Sequence, residues 1–192
     1  MRIFLAAEVN EGIRVALSAL QGELRERGIR DARWIDPEQI HLTLRFCGEA
    51  SEDQLERLIL RLSAGPPLSP FSVSLGSLGL FPVRGTPRIL HWRVADQEGR
   101  LARLAAWLET EVTAVGFLPE RRAFQPHLTV ARFLPGARRP AEALIRAGSC
   151  EGGALTVDRV VLFRSHLRSS GARYEMLRVF PLASGAASGA CA

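Results

Sequence analysis

The stretch HLTLRF at residues 41–46 returns as HLTVARF at residues 127–133. Two of the four histidines in this 192-residue chain therefore precede the same Leu-Thr pair, once in each half. The two histidines lie 127 − 41 = 86 positions apart, and the same offset carries residues 2–3 onto residues 88–89, which are Arg-Ile in both places. Landmarks that recur at one offset indicate an internal duplication. We therefore expect two related halves that share one site.

Both halves follow one predicted order of elements: a strand, an amphipathic helix, the HLT strand and a shorter helix. In the first half, a buried strand covers residues 2–9, the amphipathic helix follows it, and Ser51 can cap the shorter helix. In the second half, the strand covers residues 88–94, the amphipathic helix spans residues 101–112, and a short helix lies near residues 140–147. The repeat therefore extends from the motif to the architecture.

Two β-rich runs near the C-terminus, ALTVDRVVLFRS and ARYEMLRVFPL, lie on either side of an SSG turn signal and predict a hairpin. Related halves with such endings favour an α+β protein over a single doubly wound sheet. We therefore predict two pseudo-symmetric lobes, each an antiparallel sheet with helices on its outer face, around a central cleft. These intertwined lobes form one domain over residues 1–182, with motifs at 41–44 and 127–130, and residues 183–192 are expected to be a disordered tail.

The composition is that of a globular protein, with 47% hydrophobic and 23% charged residues. No apolar run reaches the roughly 18 residues of a membrane helix, and the N-terminal MRIFLAAEVN meets Glu8 too early for a signal peptide. Cys47, Cys150 and Cys191 show neither metal-binding nor disulfide spacing. We therefore expect a cytoplasmic protein that is a monomer and makes no membrane contact.

The basic residues indicate an anionic partner. Formal net charge is +5, and all 25 basic residues are arginine, because the chain contains no lysine. Mechanisms that need a lysine, such as a lysyl-nucleotide intermediate, a Schiff base or a P-loop, are therefore excluded. Arginine is well suited to bidentate phosphate recognition, so a phosphate site remains compatible with this composition.

Alternation along each HLT strand predicts which side chains share a face. In the first motif, His41, Thr43 and Arg45 are predicted to point one way, and Leu42, Leu44 and Phe46 to point into the core. In the second motif, His127 and Thr129 share a face in the same manner. Each strand then offers an imidazole and a hydroxyl about 6–7 Å apart, a gap that suits a phosphate.

Two imidazoles beside one phosphate suggest a division of labour. A neutral histidine can take a proton from water while a protonated one gives a proton to the departing oxygen. A strained 2′,3′-cyclic phosphodiester suits this chemistry, with threonine hydroxyls and arginines stabilising charge on the nonbridging oxygens. Catalytic zinc usually has three protein ligands, and neither motif supplies a carboxylate or cysteine cluster, so we expect no metal and no cofactor.

The paired motifs resemble a known family. Together with RWIDPEQIHLTLRFCGE, GLFPVRGTPRILH and FQPHLTVARF, they are similar to the bacterial and archaeal RNA 2′,3′-cyclic phosphodiesterases of the 2H phosphoesterase superfamily, long called 2′-5′ RNA ligases. The resemblance extends to about residue 182. It implies a basic cleft and metal-independent hydrolysis of RNA 2′,3′-cyclic phosphate ends to 2′-phosphate ends. It also implies that His41 is the general acid and His127 the general base.

The resemblance adds substrate contacts in the first motif. Phe46 matches a position that lines the nucleobase pocket in the family, although alternation places it in the core. Arg45 retains a positive charge where similar sequences usually carry lysine. Both are therefore candidate substrate-binding residues.

Further candidates surround the second motif. Arg132 matches an arginine that contacts phosphate, but strict alternation places it opposite His127, so this role requires a twist or a bulge. Arg122 could contact phosphate and Phe124 could stack on a base, although a solvated arginine and a core phenylalanine are equally compatible with the sequence.

His91 departs from similar sequences, which often carry an aromatic residue in this strand. It could line the cleft, but we expect it to lie on a polar strand face beside Arg93. Two alternative functions remain open at this point: ATP-independent 2′-5′ RNA ligation at the same site, and a non-catalytic module that binds RNA or nucleotides.

Overall fold

The computed structural model describes residues 1–138, 153–168 and 171–183. The helix predicted near residues 140–147 and all but the first residue of the predicted tail lie outside the described residues. No helix in these ranges combines the length and hydropathy needed to cross a membrane. The helices and strands, in chain order, are β1 (Arg2–Glu8), α1 (Glu11–Glu26), β2 (Ala32–Trp34), β3 (His41–Glu49), α2 (Glu52–Leu62), β4 (Phe71–Phe81), β5 (Ile89–Ala95), α3 (Arg100–Ala114), β6 (His127–Phe133), β7 (Ala154–Val157), β8 (Arg159–Arg168) and β9 (Gly171–Pro181).

The strands of the described chain form one curved sheet in the order β7-β4-β5-β6-β3-β1-β8-β9, with β2 paired to β6. Every pairing is antiparallel. The order reads as two mirrored sets of four strands that meet where β6 pairs with β3. The two sets are intertwined, because β4 follows the first half of the chain but pairs with β5, and β8 follows the second half but pairs with β1. The predicted α+β fold of two antiparallel lobes and the predicted C-terminal hairpin are confirmed.

Each amphipathic helix packs behind the motif strand of the other half. Helix α1 begins after Asn10, whose side chain accepts from the N–H of Ile13. On its buried face, Gln21 donates to the carbonyl of Ile35 at 2.7 Å and to that of Val130 in β6 at 3.1 Å. Helix α3 packs against β3 in the same way. The two HLT strands are therefore supported from behind by helices exchanged between halves.

Strand β3 contains a β-bulge at the last residue of its motif. Thr43 lies opposite Ala6 and Arg45 lies opposite Leu5, so Leu44 is the extra residue. A bulge shifts the alternation by one residue. Arg45 is consequently buried, at 7% exposure, whereas Phe46 is 53% exposed. The predicted faces of Arg45 and Phe46 are both wrong, because strict alternation ends at the bulge.

The second motif strand carries the matching bulge. Thr129 lies opposite His91 and Ala131 lies opposite Leu90, which leaves Val130 as the extra residue. Arg132 therefore returns to the face of the motif histidine, as its predicted phosphate role requires. The two bulges make Phe46 and Arg132 equivalent positions in the two lobes.

The pairing of the strands also corrects the second match of the repeat, that of residues 2–3 to residues 88–89. Relative to the motif threonines, Ala6 of β1 occupies the place of His91 of β5, an offset of 91 − 6 = 85. The match of residues 2–3 to residues 88–89 is therefore one position out of structural register. The motif strands β3 and β6 are related by an offset of 86, whereas the neighbouring strands β1 and β5 are related by an offset of 85.

Arg45 stabilises the fold and does not face the cleft. Its Nε donates to the carboxylate of Glu109 in α3, and its Nη2 donates to the carbonyl of Leu118 at 2.6 Å. A further N–H donates to the carbonyl of Phe46. The arginine predicted to bind substrate instead joins β3 to α3.

We expect Glu109→Gln to lower the free energy of unfolding by about 2–3 kcal/mol, because it leaves the buried charge of Arg45 without its counter-ion. Urea denaturation followed by circular dichroism measures this loss. Glu23→Gln, which removes an exposed pair with Arg27, is the matched control and should change stability by less than about 0.5 kcal/mol. Equal losses of unfolding free energy in the two variants would show that the buried Arg45–Glu109 pair stabilises the fold no more than an exposed pair does.

Candidate active site

The two motifs meet at the centre of the sheet, where Leu42 of β3 pairs with Leu128 of β6. The two strands run antiparallel, so the register extended by one residue in each direction sets His41 opposite Thr129 and His127 opposite Thr43. Opposite residues share a face of the sheet. The structure thus brings the four predicted motif residues, two imidazoles and two hydroxyls, to one face.

The two imidazoles are anchored identically. Nδ1 of His41 lies 2.9 Å from the carbonyl oxygen of Gln39, and Nδ1 of His127 lies 2.7 Å from that of Gln125. A carbonyl oxygen only accepts, so each Nδ1 carries the proton and each neutral ring has its lone pair on Nε2. Sequence reasoning missed both glutamines, although they lie at the same offset, 125 − 39 = 86.

Both imidazoles are held in the neutral form. Burial lowers the pKa of His41 to about 4, and the nearby charges of Arg132 and His127 act in the same direction, against the carbonyl of Gln39, which raises it. Burial also lowers the pKa of His127; the Gln125 carbonyl opposes this shift and the charge of Arg132 adds to it. Near pH 7 each ring can therefore accept a proton on Nε2.

Aromatic rings surround His41 on the first lobe. Its ring centroid lies 4.8 Å from that of Phe4 and 4.9 Å from that of Tyr174, which meets it edge-on. Phe163 stacks on Phe4 at 5.3 Å, and the exposed Phe46 lies 5.7 Å from Phe4. No sequence signal marks Phe4 as a cleft residue, because β1 is apolar through most of its length and shows no alternation.

His91 lies in the cleft wall of the second lobe, against His127. Its ring stacks on Phe81 at 3.9 Å and meets the ring of His127 at 5.4 Å and 72°. His91 pairs with Thr129 and Arg93 pairs with His127, so His91 lies beside Arg93 on the polar face, as predicted, but it is buried, at 3% exposure, and lines the cleft. A Cβ on Gly79 would lie 2.6 Å from Nε2 of His91, so this position in β4 accommodates the ring only as glycine.

The remaining predicted contacts divide into two groups. Arg132 is exposed on the motif face, and its charge acts on both catalytic candidates, His41 and His127. Arg122 is exposed in the loop before β6, and Phe124 is half-buried against the core. Arg132 therefore belongs to the cleft, while Arg122 and Phe124 form no hydrogen bond, ion pair or ring contact with the motif histidines and threonines among the described residues.

The cleft offers acid–base groups and few metal ligands. No cluster of three or more histidine, cysteine, aspartate or glutamate residues that could hold a metal ion occurs within the described ranges. The hydroxyls of Thr43 and Thr129 and Nε2 of both histidines have no hydrogen-bond partner in that part of the chain. The two hydroxyls can therefore donate to a bound anion, and each Nε2 can accept a proton.

The fold and this paired site define a 2H phosphoesterase. The LigT-like phosphoesterase family matches residues 8–91 and 94–174, and the chain belongs to it. An RNA 2′,3′-cyclic phosphodiesterase of Archaeoglobus fulgidus is 34% identical over 180 residues, which cover 94% of this chain and 99% of the relative. One of Thermus thermophilus is 34% identical over 189 residues, covering 95% of this chain and 90% of the relative.

Solved structures agree with this assignment. A crystal structure of a Thermus thermophilus protein superposes with a TM-score of 0.80 at 31% identity, over 97% of this chain and all of that one. E. coli LigT, solved in complex with 3′-AMP, shares the fold with a TM-score of 0.75 at 23% identity, over 94% of this chain and 97% of that one. The predicted family is therefore confirmed.

Proposed function

We propose that the protein hydrolyses RNA 2′,3′-cyclic phosphate ends to 2′-phosphate ends by acid–base catalysis with two histidines and no metal ion. The observation that carries this proposal is the identical anchoring of His41 and His127, which leaves two unprotonated Nε2 atoms beside two free threonine hydroxyls. A module that only binds phosphate has no need for such a pair, because arginines alone would hold the anion.

In the proposed reaction, Nε2 of His127 takes a proton from a water molecule as the water oxygen attacks phosphorus. A new P–O bond forms, and the bond from phosphorus to the 3′ oxygen breaks. His41, protonated in the complex, gives its proton to that 3′ oxygen. The product carries a 2′-phosphate, and both histidines return to their starting states after one proton exchange with solvent.

His41 needs a proton that the free protein does not hold, since its pKa there is about 4. Binding of the cyclic phosphate raises the pKa of His41, because an anion beside an imidazole favours the protonated ring. Arg132, Thr43 and Thr129 then stabilise the charge that develops on the nonbridging oxygens. The acid thus becomes charged only when substrate is present.

We expect a short RNA ending in a 2′,3′-cyclic phosphate to be hydrolysed at an unchanged rate in excess EDTA. No step of the proposed reaction needs a divalent ion, because the two imidazoles move both protons. Chromatography against 2′- and 3′-phosphate standards identifies the product, which should be the 2′-phosphate.

Loss of turnover in EDTA that a divalent ion restores would contradict the metal-independent mechanism. Binding of the RNA without turnover, with or without metal, would instead indicate a binding module. A 3′-phosphate product would mean that the 2′ oxygen leaves.

A further inference from the structure

Arg33 stands next to the phosphate-binding side of the cleft and has no part in the chemistry described above. It lies on β2, directly opposite Arg132 of β6. Opposite residues in an antiparallel pair share a face, with Cβ atoms about 4.5–5.5 Å apart, and like charges in this position destabilise the sheet. Two adjacent guanidinium groups on one face therefore favour bound anions.

The guanidinium of Arg33 extends away from β2 toward the other lobe. Its Nη2 lies 2.7 Å from the place a Cβ on Gly171 would occupy, and its Cζ lies 3.3 Å from it. Gly171 begins β9 at the turn of the β8–β9 hairpin and has a positive φ of 128°. Arg33 thus connects the second-lobe edge of the cleft, where Arg132 lies, with the hairpin tip of the first lobe.

Neither arginine of this pair has a carboxylate partner within 4 Å among the described residues, whereas Arg45 is paired with Glu109 and Arg159 with Glu8. Arg132 lies on the face of the motif histidines, so in the proposed function its anion is the phosphate that reacts. Arg33 extends from beside Arg132 toward Gly171, so its guanidinium is free to bind a second phosphate of the same nucleotide chain. An arginine fork suits a phosphodiester oxygen pair.

We propose that Arg33 binds a second phosphate, the one on the 5′ side of the terminal nucleotide, and so selects RNA ends over nucleoside 2′,3′-cyclic phosphates. The inference rests on the proposed function and deepens it. The same phosphate is present in an RNA chain and in a 5′-phosphorylated mononucleotide, and both sources fit the arginine.

The test compares kcat/KM for three substrates: adenosine 2′,3′-cyclic phosphate, its 5′-phosphorylated form, and a diadenosine that ends in the cyclic phosphate. The wild type should prefer the last two by about tenfold, mainly through KM, as expected for one charge-assisted contact. In Arg33→Gln this ratio should fall toward one. The slope of log kcat/KM against log salt for the dinucleotide should also become shallower by about 0.7.

Arg30→Gln is the matched control, because Arg30 is an exposed arginine in the same connection; it should keep the wild-type ratio. An equal loss on all three substrates would overturn the proposal and place Arg33 at the reacting phosphate. A retained ratio would also overturn it, and a preference for the dinucleotide alone would exclude the mononucleotide as a source. If the wild type hydrolyses none of them, the proposed function fails, and the subsite is decided by whether Arg33→Gln weakens binding of a dinucleotide 2′-phosphate more than binding of adenosine 2′-phosphate.

Discussion

His127→Ala is expected to lower kcat on an RNA 2′,3′-cyclic phosphate by about 10²- to 10⁴-fold, the range that a positioned general base contributes. The ring is the proton acceptor that the second motif presents, through Nε2, because its Nδ1 is already occupied by the carbonyl of Gln125. Single-turnover measurements with saturating enzyme separate this loss from weaker binding. Binding of a 2′-phosphate product should persist, since Arg132 and the threonines remain.

His41→Ala should cause a loss of similar size on the cyclic phosphate, so a second substrate is needed to separate the roles. In 3′-deoxyadenosine 2′-(4-nitrophenyl phosphate) the 2′ oxygen stays on phosphorus, as in the proposed reaction, and the 4-nitrophenolate that replaces the 3′ oxygen departs without a proton. A variant that lacks the acid should lose much less on this substrate, whereas a variant that lacks the base should lose on both. His41→Ala is therefore expected to hydrolyse the 4-nitrophenyl substrate at close to the wild-type rate, and His127→Ala is not.

His166→Ala is the matched control, because His166 pairs with Glu175 on the β8–β9 hairpin and forms no hydrogen bond, ion pair or ring contact with either motif among the described residues. It should retain wild-type kcat on both substrates. If His127→Ala, and not His41→Ala, retained activity on the 4-nitrophenyl substrate, His127 would be the general acid and His41 the general base. Full activity in both motif variants would contradict two-histidine catalysis.

Strict alternation correctly predicts the faces of the first three residues of each motif, because strand pairing is regular up to the threonine. The bulges at Leu44 and Val130 leave no mark in residue type, since both positions carry ordinary apolar residues. They nevertheless decide which later side chains face the cleft. Strict alternation therefore assigns Arg45 to the wrong face, and the role of Arg132 requires a feature that only the structure supplies.

Local patterns predict the elements better than their partners. The amphipathic pattern after β1 and the cap at Ser51 are local signals, and the structure has helix α1 after β1 and Ser51 as the N-cap of α2. The exchange of β4 and β8 between halves depends on pairings between distant segments, which no local signal specifies. The same limit explains His91, which faces the cleft because its neighbours across the sheet include Gly79 and Thr129.

Arg132 combines two effects that a single substitution can separate. Its charge disfavours protonation of both motif histidines in the free protein, and in the proposed reaction its position on the motif face lets it stabilise the phosphate. The first effect opposes the acid role of His41, and the second favours the transition state. In the complex, the negative charge of the bound phosphate offsets the positive charge of Arg132, so His41 can become protonated there.

Arg132→Gln is consequently expected to lower kcat/KM by about 10²- to 10³-fold, as removal of one donor to a developing anion does. Because a positive charge is removed, the pKa values of His41 and His127 should both rise, and histidine-detected NMR titration of the free protein measures this rise. Arg57→Gln, on the exposed side of α2, keeps the change of net charge and should alter neither quantity. Lower activity without a change in either pKa would mean that the charge of Arg132 does not act on the two histidines. Higher pKa values with full activity would mean that Arg132 affects the histidines but does not contact the phosphate.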